Sequence, residues 1–296
     1  MTHVLGYPNL GLGEFLIVSR RTLFLSSVAF PMCFALAPAM PARAQSLFPA
    51  IPGQLLPAVS AVNGSVGAFD GRWPQSDVYG VNGSIAFPLG VSFGLQFDGQ
   101  AGRSPTEFAD GAGEHLFWRD TALGLIGIYH SQSRSRYDAG LTYDADGAKL
   151  RTFGLETEFY LNRFTFKGTA GAQSGRYDGA TTKISAAYYA TDNLRFDLTV
   201  NRLPGVEAQE SIGIEWAPFG SSAVTLLART GLGEHQYVRA VAGIQFNFGA
   251  PDKSLIRHHR EDLIENDLPE NLFEAIGDGV CPIGAHQRQG YCDGNI

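Results

Sequence analysis

Four small groups of residues could carry chemistry. Glu156 and Glu158 stand two apart, so in a strand both carboxylates point to one side, roughly 7 Å apart along the chain. Such a pair could serve glycoside hydrolysis as acid and base. The same two residues could instead share an ion network with Lys167 and Arg195, and that is the reading preferred. His130-Ser131 sets an imidazole beside a hydroxyl, but adjacency is not a triad, and neither Gly-x-Ser-x-Gly nor His-Glu-x-x-His occurs. His258-His259 invites a metal ion, yet neighbours on a helix point apart, unlike an i, i+4 pair. Cys281 and Cys292 form an even pair once Cys33 is removed with the leader. In an oxidising compartment they read as one disulfide closing a small loop. No catalytic, cofactor-binding or metal-ligating residue is expected, and no enzyme activity.

The elements that must position these groups follow from composition. The 296 residues hold 22 Lys+Arg against 29 Asp+Glu, a net charge of -7. A generic nucleic-acid binder would be basic, so none is expected as partner. Charged residues are 17%, below the roughly 25% of a typical soluble domain. With 36 Gly and 11% aromatics, this points to β structure.

The start of the chain reads as a leader, residues 1–44. Arg20-Arg21 precede an apolar run, Thr22 to Met40, which ends in Pro41-Ala42-Arg43-Ala44. Basic start, apolar middle and Ala-x-Ala end are the parts of a secretory signal peptide, with cleavage expected between Ala44 and Gln45. Arg20-Arg21 also fits a twin-arginine signal. Residues 45–59 read as a linker.

From 60 to 249 apolar and polar residues alternate in segment after segment, the period of strands. Phe153, Leu155, Phe159 and Leu161 face one way, Glu156, Glu158 and Tyr160 the other. Twelve such segments are countable, most of them 10–13 residues long. Soluble strands average about 5–6 residues, whereas a tilted membrane-crossing strand needs about 9–11. The fourth and fifth segments are read as 116–130 and 135–144, with Gly102 to His115 as the longest loop. Connections after even strands are short, as at Asn162-Arg163, and those after odd strands tend to be longer. Tyr129, Tyr160, Tyr189 and Trp216 each precede a short turn and are read as one interfacial girdle. The charged face carries Asp98, Glu156, Glu158, Lys167, Arg195, Asp197, Glu215, Arg229 and Arg239. In a soluble barrel of this size the apolar face would enclose a wide empty core. Turned outward to lipid, with the charges in the lumen, it needs no filler.

Leader, alternating strands and the terminal Val238-Arg-Ala-Val-Ala-Gly-Ile-Gln-Phe-Asn-Phe248 resemble a Gram-negative outer-membrane β-barrel protein, porin-like and of no single characterised family. The resemblance covers about 60–248. It implies an all-β fold, an antiparallel up-and-down transmembrane barrel of about twelve strands. It also implies outer-membrane lipid as surroundings, the barrel-assembly machinery as reader of the last strand, and both chain ends in the periplasm. Such chains commonly end at the aromatic, and this one continues.

Residues 250–296 read as an acidic periplasmic tail, with nine Asp+Glu and four Lys+Arg. Lys253 to Glu265 carries a helical stripe of Leu255, Ile256 and Leu263, and a solvated short helix is expected. A contact with peptidoglycan or a periplasmic protein is the functional alternative. The expected function is a porin-like channel for small solutes. The alternative is a non-conducting structural barrel whose tail anchors it.

Overall fold

The computed structural model describes residues 56–72, 77–105, 107–137, 149–175, 178–204, 208–232, 238–249, 252–266, 286–288 and 291–293. All belong to the compact unit Gln45–Ile296. The leader, its Ala44–Gln45 bond and residues 45–55 lie outside the described residues.

Twelve strands follow one another along the chain. They are β1 (Asn63–Arg72), β2 (Asp77–Leu89), β3 (Phe93–Arg103), β4 (Glu107–Asp120), β5 (Gly124–Tyr137), β6 (Lys149–Leu161), β7 (Phe164–Gly175), β8 (Gly179–Thr191), β9 (Leu194–Arg202), β10 (Gln209–Trp216), β11 (Val224–Leu232) and β12 (Val238–Phe248). Each pairs antiparallel with its sequence neighbours, and β1 closes the ring on β12, from Gly64↔Phe248 to Arg72↔Ala240. Closure leaves no unpaired edge, which is what a sheet in hydrocarbon requires. No helix among the described residues is long and apolar enough to cross a membrane.

The alternation sorts as expected. Phe153, Leu155, Phe196, Leu198, Phe246 and Phe248 are exposed on the outside, while Asp98, Glu156, Arg195 and Asp197 are buried within. One end of the barrel has short connections, such as Asn162–Arg163 between β6 and β7. Asn162 adopts φ 51° there, a left-handed conformation that Asn tolerates better than most residues.

Three expectations are corrected. Gly102 to His115 is not a loop: β4 pairs with β5 without interruption from Glu107↔Tyr137 to Asp120↔Gly124. Its glycines and charges resemble a loop in composition, but they alternate in facing, and the ladder satisfies their backbone groups. The fourth and fifth segments therefore shift, and His130-Ser131 lies mid-strand in β5 rather than at a turn. The girdle also differs. Trp216 faces out, but Tyr160 and Tyr189 are buried inside. The outward aromatics at the short-turn end are neighbours across strands: Phe93↔Trp118, Phe164↔Tyr188 and Tyr188↔Phe196. Finally, no disulfide bond is present among the described residues, and the Cys281–Cys292 staple is withdrawn. Residues 286–288 (β13) and 291–293 (β14) form a small hairpin that sets Gln287, not a cysteine, opposite Cys292; Cys281 lies outside the described residues.

Candidate functional site

The inner wall away from the short turns is lined by small hydroxyl side chains, among them Ser131, Ser133, Ser135, Thr181, Thr199 and Ser211, all buried. A polar inner face is the habit of barrels of this type, and Val78, Leu150 and Leu203 interrupt it at this end. Toward the short-turn end the inner wall changes. Phe117, Leu125, Tyr160 and Tyr189 point inward there. Gly94 makes room for this: a Cβ on it would meet Phe117 Cζ at 2.3 Å and Val59 Cγ2 at 2.6 Å.

These apolar groups receive a segment from beyond β12. Residues 252–266 enter the short-turn end, starting with helix α1 (Leu255–Glu261). The helix has no side-chain N-cap, and the wall supplies the missing acceptors. Leu255 N donates to Asn193 Oδ1 at 3.1 Å and Ile256 N to the Asp192 carbonyl at 3.1 Å. Leu255 and Ile256 pack with Tyr189 and Ala217. Arg260 lies 4.9 Å over the Tyr160 ring and donates to the Phe164 carbonyl at 2.8 Å. Beyond the helix, Leu263 and Ile264 join Val59, Ala86, Phe117 and Leu125 in one apolar cluster. Gln96 and Ile264 exchange two hydrogen bonds, at 2.7 and 2.9 Å. The helix is thus a buried stopper, not the solvated helix expected, because its stripe finds an apolar seat inside the barrel.

The start of the barrel chain locks the stopper in place. Ser60 N donates to the Glu261 carbonyl at 3.0 Å, and Ser60 Oγ donates to Asp262 Oδ1. Lys253 Nζ reaches Asp262 Oδ1 at 2.8 Å and Glu261 Oε2 at 3.0 Å. Arg119 donates to the carbonyls of Ala58 and Asp262, at 3.1 and 3.0 Å. Burial opposes ionisation of Asp262, but His258, Lys253 and Ser60 outweigh it and hold the carboxyl below its ordinary range. Burial pushes the His258 imidazole down, more than the nearby Asp262 and Glu215 raise it.

Two charge clusters lie deeper. In the first, Glu265 spans two arginines. Its Oε2 is 2.8 Å from Arg195 Nη2 and its Oε1 is 2.8 Å from Arg229 Nη2. Arg195 also meets Glu215 at 3.2 Å, and Arg229 meets Asp197 at 2.9 Å. Lys167 Nζ donates to the Glu265 carbonyl at 3.4 Å. A cavity of about 140 Å³ adjoins, bordered by Arg195, Arg229, Arg239, Glu215 and Glu265. In the second cluster His115 stands between Asp98, 3.0 Å from Nε2, and Glu156, 2.9 Å from Nδ1.

The nine lumen charges named from sequence lie on the inward phase of their strands, and Glu158 stands opposite Lys167 in the ladder. Glu156 pairs with His115. Glu158 accepts from the Tyr160 hydroxyl at 2.8 Å. Ser131 borders the same small cavity as His115, yet both imidazole nitrogens face carboxylates, so neither is placed to take its proton. His130 faces outward to Glu114, 3.1 Å away. His259 is engaged by Tyr189 Oη at 2.8 Å and Glu215 at 3.3 Å. Among the described residues no group of three or more His, Cys, Asp or Glu could hold a metal ion. Two functional residues escaped the sequence reading. His115 was hidden by the apparent loop, and Glu265 by the acidic composition of the tail.

No family model matches the chain, and no curated protein matches it in sequence. Solved structures do share its fold. The KdgM porin superposes with a TM-score of 0.50 at 9% identity, over 62% of this chain and 99% of that one. The COG4313 outer membrane channel from Pseudomonas putida F1 gives 0.48 at 10% identity, over 67% and 99%. Outer membrane phospholipase A from Escherichia coli gives 0.42 at 12% identity, over 63% and 92%. Identity this low speaks for fold alone. The chain has the closed barrel fold of outer-membrane porins and is assignable to no specific family.

Proposed function

We propose that this protein is a channel for small solutes in the outer membrane of a Gram-negative bacterium, shut at rest by its own residues 252–266. The observation that carries the reading is the contrast within the lumen. An inner wall rich in small hydroxyl groups is closed at the short-turn end by a segment that is not part of the wall. In barrels of this type short turns lie in the periplasm, and this reading takes both ends of the barrel chain, and the stopper, to lie on that side. Val238–Phe248 serves as the strand read by the assembly machinery. The role is transport, not catalysis.

Glu265→Lys in the full chain tests this. It sets a like charge against Arg195 and Arg229. Breaking a buried pair costs about 3 kcal/mol or more, so the open fraction rises roughly 100-fold. Rare or absent current steps in the parent protein and frequent steps in the variant are expected in planar bilayers. Silence from both, with insertion shown by protease protection, would instead favour the second reading. That reading is a non-conducting barrel that holds peptidoglycan or a periplasmic partner through its tail, and the dense ion pairing of the stopper is what speaks for it.

A further inference from the structure

We propose that Arg195 and Arg229, backed by Arg239, Lys167 and Lys183, form a carboxylate-binding site in the lumen wall. Glu265 is its built-in occupant, and a small organic acid takes its place when the stopper leaves. The inference rests on the channel reading, since the acid reaches the site through the lumen.

The wall builds this site without help from the segment. Arg195 comes from β9 and Arg229 from β11, and each is set by wall carboxylates. Asp197 holds Arg229 at 2.9 Å and Glu215 holds Arg195 at 3.2 Å. Gly213 on the intervening β10 allows this, because a Cβ there would meet Asp197 Oδ2 at 2.4 Å. The two guanidinium groups then present one donor each, 2.8 Å from the two oxygens of a single carboxylate. Charge-assisted bonds of this length are among the strong ones. Lys167 and Lys183 add attraction to that position.

The occupant, by contrast, arrives on a separate element. Glu265 takes one donor from each arginine in addition to the wall carboxylate that each already meets. A carboxylate arriving through the lumen meets the same two donors. The adjoining cavity of about 140 Å³ is bordered also by Ser65, Ser84 and Gln245. Its size is close to that of an engineered cavity known to take benzene, so it admits a body of about six non-hydrogen atoms. A short dicarboxylate or an aromatic acid meets both conditions.

Calorimetric titration of the full chain with succinate tests the site directly. Glu265→Gln removes the internal competitor, so succinate binds the variant at least tenfold more tightly than the parent. Adding Arg229→Gln to that variant reverses the gain, and dimethyl succinate, which lacks the charges, binds neither. Equal affinity of parent and Glu265→Gln, or equal binding of the diester, overturns the proposal. Should Glu265→Gln fail to refold, Glu265→Asp loosens the grip by shortening the side chain and raises succinate affinity by a smaller factor. The two readings fail separately. Succinate binding by Glu265→Gln with a silent Glu265→Lys record keeps the site and overturns the channel. Current steps without succinate binding overturn the site alone.

Discussion

The Asp98–His115–Glu156 cluster and the Arg195–Glu265–Arg229 cluster look alike as chemistry and differ in construction. In the first, all three side chains come from β3, β4 and β6, so the wall satisfies itself. In the second, two arginines come from the wall and the carboxylate between them comes from the stopper. Folding the barrel completes the first cluster whether or not the stopper is seated. The second gains its third carboxylate only when residues 252–266 dock. The second cluster therefore touches the segment directly, while the first reaches it only through Gln96, which meets both Asp98 and Ile264.

The comparison is broken most severely at His115. His115→Leu leaves Asp98 and Glu156 buried without their shared donor. Barrel stability in urea should fall by about 3 kcal/mol, the size expected for breaking a buried pair, with the current record unchanged. A variant that conducts as Glu265→Lys does would show that the first cluster also governs closure.

Acid should act on the stopper more gently, and with a defined sign. His258 sits below its ordinary value of 6.5 and Asp262 below its ordinary 3.8. Both groups thus bind fewer protons in the seated state than in the released one. Seating is at full strength above about pH 7. It weakens as pH falls below His258's ordinary value, and again below Asp262's. One proton is worth at most a tenfold change per pH unit. His258 faces Asp262, His259 and Glu215, and His258→Gln should remove the response between pH 7 and 5. An open fraction that does not change over that range would contradict this coupling.

The wall was legible in the sequence because lipid and water impose opposite demands on successive residues. Phe153, Leu155 and Phe159 against Glu156 and Glu158 show it directly. β4 was not, because Gly111, Gly113 and Glu114 carry the composition of a loop while keeping the facing of a strand. The stopper was missed for a different reason. Its acidic and basic residues read as a solvated surface, and nothing local to Glu265 points to arginines thirty or more residues away. A signal did exist in the wall. Phe117, Leu125, Tyr160 and Tyr189 occupy positions of the inward, polar phase, and large apolar groups there require something to pack against. Tyr160 and Tyr189 resemble lipid anchors in the sequence because they precede short turns, a rule that holds only for the outward phase.

The central claim is that residues 252–266 close a lumen the wall would leave open. Single-channel recording of the refolded chain from Gln45, with and without residues 250–296, tests it most directly. The account predicts rare or no steps with the segment, and steady steps without it whose selectivity favours anions, as the uncovered arginines require. An inserted barrel that stays silent after the segment is removed would contradict it.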